Sequence, residues 1–213
     1  GDVYLLKNAF SEKYMLDLRE KASILFKNSK SSFHKIIENC PNFYRNITSE
    51  HSSKYSFHQI KHTHYFYPWN EDFNNLFKET NRRWRILKLL SGYHSNVWEN
   101  NTPKDGIVDR IQIVKYPPGS GELELHQDPY IYQKFFISLY LSKKGEHFLD
   151  GGVYLVNANN QKFSLEDKVN VGDLSFGFGT IYHGVDIPRP IINTENDEYM
   201  GRWWLGIYST ESD

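Results

Sequence analysis

The sequence predicts an α+β protein in which a helical, loop-rich N-terminal half supports a C-terminal core made mainly of β-strands. Up to residue 106 the apolar residues recur at helical spacing or are scattered through polar segments, whereas from Ile107 short apolar runs alternate with Gly, Pro or Asn. Short strands separated by turns are typical of an antiparallel sandwich or barrel. Since 213 residues contain no repeat or linker, we expect a single domain, with a support region over 1–106 and a core over 107–213.

The first elements are expected to be a short strand and an amphipathic helix. Residues 3–10 have the composition of a strand. Ser11 is the predicted N-cap of a helix, because its hydroxyl can accept a hydrogen bond from the first turn. Tyr14, Leu18 and Leu25 follow at helical spacing and predict the buried face.

The rest of the N-terminal half contains one strong helical pattern. Residues 28–58 are polar and aperiodic, which predicts a loop or a broken helix, and residues 62–69 predict an extended aromatic segment. Residues 70–93 carry an apolar stripe that Gly92 ends. The basic residues on this helix are expected to form a solvated face.

The C-terminal half is expected to supply the sheet. The predicted strands are "IVDRIQIVKY", "ELELH", "FFISLYLS", "GGVYLV", "KFSL", "DLSFGF", "TIYHGVDI" and "RWWLGIY".

Composition narrows the class of partner. The net charge is −1, and no basic tail or stripe suggests binding to a nucleic-acid backbone. No apolar run approaches the length of a membrane span, and the single Cys40 fits a reducing compartment. We therefore expect a cytoplasmic protein that binds neither nucleic acid nor membrane. Because the chain opens with Gly1 rather than Met, this expectation concerns the chain as it stands.

Three residues form a candidate metal site. His126 and Asp128 enclose Gln127 at the end of the run "ELELH", and residues i and i+2 of a strand point to the same side. His183, which ends the run "TIYH" before Gly184, is the best third ligand. Two imidazoles and one carboxylate form the facial triad of non-haem Fe(II) oxygenases. The alternatives are a surface turn for the H-x-D triplet and a buried core histidine for His183.

The open coordination positions of such a site would take a 2-oxo acid and O2. The far carboxylate of the acid calls for a buried Arg, which binds carboxylates bidentately. Arg202 opens the apolar run "RWWLGIY", and a lone buried charge is costly. The alternatives are that Arg202 pairs with a surface acid such as Glu198 or Glu195, or that Arg189 is the anchor.

Residues 110–208 resemble the Fe(II)/2-oxoglutarate-dependent oxygenases, most closely the relatives of prolyl hydroxylase and phytanoyl-CoA hydroxylase. Four segments match the motifs of these enzymes in order: "KYPPGSGELELHQD", "FFISLYLSKKGEHFLDGGVYLV", "VGDLSFGFGTIYHGV" and "GRWWLGIY". The resemblance implies a double-stranded β-helix, or jelly roll, that binds Fe(II) through His126, Asp128 and His183. It also implies that Arg202 and Tyr116 bind 2-oxoglutarate.

The resemblance further implies the chemistry. With O2 as cosubstrate, such an enzyme hydroxylates an unactivated C–H bond and releases succinate and CO2. Because halogenase relatives have Gly or Ala in place of the acidic ligand, Asp128 argues against halogenation. We expect a small-molecule or amino-acid-type substrate, and Tyr130, Tyr132 and Trp204 are its candidate contacts.

The chain departs from the family pattern after its distal histidine. Arg202 follows His183 by 19 positions, which is longer than the usual spacing, because "IPRPIINTENDEYM" is inserted. Arg189 lies within this gap, which is why it remains a rival anchor.

Several other functions stay open. The first is hydroxylation of a peptide or protein side chain. A non-redox, cupin-like jelly roll that binds metal or sugar is the second, although "HQDPYIYQ" lacks the Glu of the usual cupin motif. A nucleic-acid demethylase is disfavoured because no Arg follows Arg202. The pair His62 and His64 is a rival metal site without an evident third ligand.

Overall fold

A computed structural model describes residues 2–194 and 197–213. Its centre is an antiparallel sheet that curls over itself, as the predicted jelly roll requires. The strands are β1 (Val3–Leu6), β2 (Phe43–Ile47), β3 (Gln59–Phe66), β4 (Ile107–Tyr116), β5 (Glu122–His126), β6 (Phe135–Tyr140), β7 (Asp150–Val156), β8 (Lys162–Ser164), β9 (Leu174–Phe178), β10 (His183–Arg189) and β11 (Arg202–Glu211).

The strand order explains how the sheet encloses a cavity. Neighbouring strands follow the order β1-β9-β6-β11-β4-β3-β5-β10-β7-β8, and β2 pairs with β3. Strand β3 pairs with β4 through one part of its length and with β5 through another. It therefore joins a larger half of the sheet to a smaller half formed by β5, β10, β7 and β8.

Strand β4 shows how the sequence divides the two faces of the larger half. Ile111 and Ile113 are fully buried in the main hydrophobic core, whereas Arg110, Gln112 and Tyr116 line the cavity between the two halves. Successive residues of a strand point to opposite faces. The alternation of Ile with polar residues therefore gives β4 one face for packing and one face for the cavity.

Two helices cover the outer face of the larger half. They are α1 (Glu12–Asn28) and α3 (Leu76–Leu90), and a short helix, α2 (Ser49–Ser52), precedes β3. Apolar residues of α1 and α3 share one core cluster with Ile111, Ile113 and Trp203. Burial of this apolar area supplies most of the driving force for the helices to pack there.

The first helix begins as predicted but turns a different face to the core. Ser11 is the N-cap, and its hydroxyl accepts a hydrogen bond from the Tyr14 N–H. The buried residues are Met15, Leu18, Arg19, Ala22 and Phe26. Tyr14 and Leu25 lie at the edges of this face and are half-buried, so the predicted stripe was rotated by about one position.

Two predictions for the N-terminal half were wrong in detail. Residues 28–58 contain strand β2, which pairs with β3 through a run of polar and aromatic residues that has no clear period. The second helix begins at Leu76 rather than near residue 70, because Asn74 and Asn75 adopt left-handed backbone conformations that break the helical path. The N-terminal half thus contributes three strands, β1, β2 and β3, to the sheet. The organisation as a single domain stays a prediction.

Across residues 2–194 and 197–213, the structure contains no helix with the length and apolar character needed to cross a bilayer.

Candidate metal centre and its cavity

The three predicted metal ligands meet at one end of the smaller half-sheet. His126 is the last residue of β5 and His183 is the first residue of β10, and the two lie opposite each other in the antiparallel pair. Asp128 follows in the loop after β5, and its backbone N–H donates to the Gly179 carbonyl oxygen at 2.9 Å. One donor atom from each of His126, Asp128 and His183 lies within 4.8 Å of the other two.

Backbone carbonyls set the orientation of both imidazoles. The Nδ1 of His126 is 2.8 Å from the Glu124 carbonyl oxygen, and the Nδ1 of His183 is 2.9 Å from the Ile181 carbonyl oxygen. Since a carbonyl can only accept, each Nδ1 carries the proton and each Nε2 keeps its lone pair. These Nε2 atoms lie 3.6 Å and 3.8 Å from the two carboxylate oxygens of Asp128.

The protonation states also suit a cation. Burial lowers the pKa of His183 below its ordinary value, although the charge of Asp128 opposes this shift. Burial alone would raise the pKa of Asp128, but the neighbouring imidazoles of His126 and His183 lower it overall. The Oδ2 of Asp128 is buried and has no hydrogen-bond partner among the described residues. A bound metal ion would satisfy it.

Aromatic rings shield the ligands. Phe57 stacks on His126 with ring centroids 4.5 Å apart, and the ring of Phe136 lies 5.1 Å from that of His183. These contacts restrict both the motion of the imidazoles and the approach of water to them.

The two residues predicted to bind 2-oxoglutarate are neighbours across a strand pair. Arg202 begins β11 and Tyr116 ends β4, and they lie opposite each other in the register. Both are buried and both line the cavity that contains the metal ligands. The hydroxyl of Tyr116 and the indole N–H of Trp204 are buried without a hydrogen-bond partner among the described residues, so polar groups at this end are free to bind a ligand.

Arg202 has an internal partner that the sequence did not reveal. Its Nε donates to a carboxylate oxygen of Glu166, which is buried in a short 3₁₀ helix. That oxygen also accepts from the Val153 N–H at 2.8 Å. The predicted alternative of pairing with Glu198 was wrong, because Glu198 lies 3.7 Å from Lys27 instead. Glu195 lies outside the described residues.

The double glycine of β7 makes room for this partner. Gly152 has a φ of +89°, and a Cβ built there would lie 2.6 Å from a Glu166 carboxylate oxygen. Only glycine therefore allows the Glu166 carboxylate to reach Arg202 along this path.

Of the remaining predicted site residues, two line the cavity and two do not. Trp204 and Tyr132 line the cavity, and the Tyr132 hydroxyl donates to Glu211. Tyr130 is 41% exposed and is not among the cavity-lining residues. Arg189 is exposed and pairs with Asp150 at 3.3 Å, so the structure does not bring it to the cavity.

The cavity, of about 390 Å³, lies between the two halves of the sheet. Sequence reasoning missed two basic residues in it, Lys61 on β3 and Arg110 on β4. A signal for Arg110 was present, because it and Gln112 are polar positions that alternate with Ile111 and Ile113.

The alternative metal pair, His62 and His64, consists of histidines that pack within the fold. Within the described part of the chain, neither belongs to a group of three potential metal ligands. The ring of His64 stacks on that of Phe66 with centroids 4.6 Å apart. Burial lowers the pKa of both histidines from 6.5 to about 4.

This burial predicts sensitivity to acid. The unfolded chain takes up a proton at His64 near its ordinary pKa of 6.5, whereas the folded chain resists it until about 4. The stability contributed by neutral His64 is therefore present above the higher value and is lost as the pH falls toward the lower one. His64→Phe is expected to remove about 2 kcal/mol of the stability lost between about pH 7.5 and about pH 5. Urea unfolding at the two pH values measures it, and an unchanged pH dependence in the variant would contradict it.

Comparisons with known proteins agree on the fold. A prolyl-4-hydroxylase from Pseudomonas putida matches with a TM-score of 0.58 and 10% identity, over 99% of this chain and 93% of that chain. A thymine hydroxylase from Neurospora crassa, in complex with alpha-KG, matches with a TM-score of 0.59 and 13% identity, over 98% and 75%. The fold is that of the 2-oxoglutarate/Fe(II) oxygenases. Neither a family model nor a curated protein sequence matches the chain.

A third structure with this oxygenase fold extends the range of molecules found in complex with it. A prolyl hydroxylase from Trichoplax adhaerens, in complex with a hypoxia-inducible-factor peptide fragment, matches with a TM-score of 0.58 and 11% identity, over 99% and 83%. The structures of the Neurospora crassa hydroxylase include a complex with thymine. The oxygenase fold thus accommodates both a small base and a peptide.

Proposed function

We propose that this chain is an Fe(II)- and 2-oxoglutarate-dependent dioxygenase that hydroxylates an unactivated C–H bond of a small-molecule or amino-acid-type substrate. One observation carries the proposal: His126, His183 and Asp128 converge in the same cavity as the buried Arg202. Two imidazoles and a carboxylate on one side of a metal are typical of non-haem Fe(II) oxygenases.

Each residue then has a defined task. His126, His183 and Asp128 would hold Fe(II), and Arg202 with Tyr116 would hold the far carboxylate of 2-oxoglutarate. When bound, Fe(II), 2-oxoglutarate and O2 would together supply the oxidation that replaces a C–H hydrogen by a hydroxyl group and releases succinate and CO2. As the acidic ligand, Asp128 occupies the position that a halide would need, which favours hydroxylation over halogenation.

The protein's own contribution is placement and the exclusion of water. The Glu124 and Ile181 carbonyls hold the imidazoles in the tautomer that binds metal. Glu166 fixes the Nε edge of Arg202, and among the described residues Arg202 makes no other hydrogen bond. Its outer N–H groups are left for a ligand carboxylate.

The size of the cavity supports a small substrate over a peptide side chain. At about 390 Å³ it lies within the range of pockets that enclose a cosubstrate and a compact ligand.

A spectroscopic experiment tests the proposal. Under anaerobic conditions, Fe(II) and 2-oxoglutarate added to the protein are expected to produce a visible charge-transfer band, and His126→Ala should abolish it. Aeration in the presence of a substrate should release succinate. If the wild-type protein gives no band and releases no succinate, the proposed function is wrong.

A matched pair of variants tests the anchor. Arg202→Lys keeps the charge beside Glu166 but loses the guanidinium fork, so 2-oxoglutarate should bind at least about 10-fold more weakly. Arg189→Lys makes the same change at an exposed site and should bind 2-oxoglutarate as the wild type does. The opposite ranking would make Arg189 the anchor. Titration of the visible band with 2-oxoglutarate measures both affinities.

A further inference from the structure

Lys61 is a buried cation that has no hydrogen-bond or ion-pair partner among the described residues. Its residue is 8% exposed, and it lines the cavity. Burial, and to a lesser extent the charge of Arg110, lower the pKa of Lys61 to about 8, and Asp128 is the acidic group that opposes the shift. Among the described residues, no carboxylate lies within ion-pair distance of Lys61. A buried ammonium group left in this way is costly unless something else satisfies it.

Arg110 is a second basic residue that lines the cavity near Lys61. Its guanidinium carbon is 5.1 Å from the ring centroid of Tyr65 and 5.6 Å from that of Tyr208. Its Nε is buried and has no hydrogen-bond partner in the described part of the chain. The guanidinium lies over both tyrosine rings, which attract its charge, and among the described residues its N–H groups make no hydrogen bond.

These two cations are separate from the predicted 2-oxoglutarate anchor. Arg110 lies opposite Tyr208 in the β4–β11 pair, whereas Tyr116 lies opposite Arg202 at the other end. The six-residue separation along β4 corresponds to roughly 20 Å between backbone positions. The metal ligands His126, Asp128 and His183 line the same cavity as both cations and the predicted anchor.

The acidic residues that line the cavity do not neutralise this second cationic end. They are Asp128, which belongs to the metal ligands, and Glu211, which accepts a hydrogen bond from Tyr132. Buried amides of Gln59 and Gln112 line the same region. Within residues 2–194 and 197–213, the cavity therefore presents two unpaired cations flanked by neutral polar groups and tyrosine rings.

We propose that Lys61 and Arg110 bind an anionic group of the primary substrate, so that this cavity accepts a small organic acid or phosphate ester. The inference rests on the proposed function for the role of its ligand. A carboxylate or phosphate would pair with both cations and would direct the rest of the molecule toward the metal ligands.

The test uses the protein loaded with Fe(II) and 2-oxoglutarate without O2. Small carboxylates and phosphate esters are each compared with their neutral amide or alcohol counterparts, and binding is measured as a change in the visible band. At least one acid should alter the band, and its neutral counterpart should bind at least about 30-fold more weakly. Whether carboxylates or phosphate esters bind identifies the anion. Equal binding by the neutral counterparts, or no binding by any acid, overturns the proposal.

Variants assign the effect to residues. Lys61→Met and Arg110→Met should each weaken binding of that acid at least about 30-fold and change the affinity for 2-oxoglutarate little. Lys162→Met is the control, because Lys162 is exposed and pairs with Asp186 at 2.6 Å. An unchanged affinity for the acid in both cavity variants overturns the proposal.

Thermal stability separates this role from a structural one. Because Lys61 has no partner in the part of the chain that the structure describes, Lys61→Met should leave the melting temperature unchanged or raise it. Inorganic phosphate should raise the melting temperature of the wild-type protein, and should do so much less in Lys61→Met. This readout needs no band, so it still tests the anion site if the band fails to form and the proposed function is wrong. No phosphate effect in the wild type, or a strongly destabilised Lys61→Met variant, counts against the anion site.

Discussion

Replacing His183 by Ala is expected to weaken Fe(II) binding by more than about 100-fold and to abolish 2-oxoglutarate turnover. The imidazole provides one of three protein donor atoms that lie within 4.8 Å of one another. Its loss leaves two donors and an incomplete facial set, while Asp128 keeps a buried oxygen without a partner among the described residues. Metal affinity can be measured with Co(II), whose visible spectrum reports its coordination, and turnover as succinate release.

His62→Ala is the matched control for this prediction. His62 belongs to the rival His-x-His pair on β3 and lies outside the group of potential metal ligands. The control should therefore keep wild-type metal affinity. If His62→Ala loses the metal and His183→Ala retains it, the assignment of the ligands is wrong.

Breaking the buried pair between Arg202 and Glu166 is expected to cost about 3–5 kcal/mol of folding stability. Both residues are almost completely buried, 2% and 3% exposed, and removal of either leaves an uncompensated charge in the core. The single variants Glu166→Gln and Arg202→Met should therefore both unfold at much lower urea concentration. Glu166→Gln retains an acceptor for the Val153 N–H. The stability that this variant loses therefore reports mainly on the missing negative charge.

The double variant Arg202→Met/Glu166→Gln completes the cycle. It contains neither charge, so its loss of stability should be smaller than the sum of the single losses by about 2 kcal/mol or more. It should nevertheless fail to bind 2-oxoglutarate, because the guanidinium is gone. Additive single losses would show that the two side chains are not coupled.

The sequence predicted the core of this fold better than its periphery, for a local physical reason. The predicted strand "IVDRIQIVKY" matches β4 from end to end, and one face of that strand packs in the core while the other lines the cavity. Strand β2 was missed because its buried residues, Phe43, Tyr44 and Ile47, follow no regular period.

In the site, too, some residues could be predicted from the sequence and others could not. His126 and Asp128 were predicted as a pair from their i, i+2 spacing, although β5 ends at His126 and the Asp128 N–H is held instead by the Gly179 carbonyl oxygen. Glu166 was not, since it reaches Arg202 from a separate 3₁₀ turn through the space above Gly152. Nor was the meeting of Lys61 with Arg110, because they come from strands more than forty residues apart in the sequence.

The two cationic ends of the cavity place a constraint on the cosubstrate itself. 2-Oxoglutarate carries two carboxylates, and Arg202 is only one of the positions that would attract them; Lys61 and Arg110 form the other. At high concentration a second molecule of 2-oxoglutarate would compete with the substrate for its own pocket. Such an enzyme would be inhibited by an excess of the molecule it consumes, and its rate would depend on the ratio of the two acids around it.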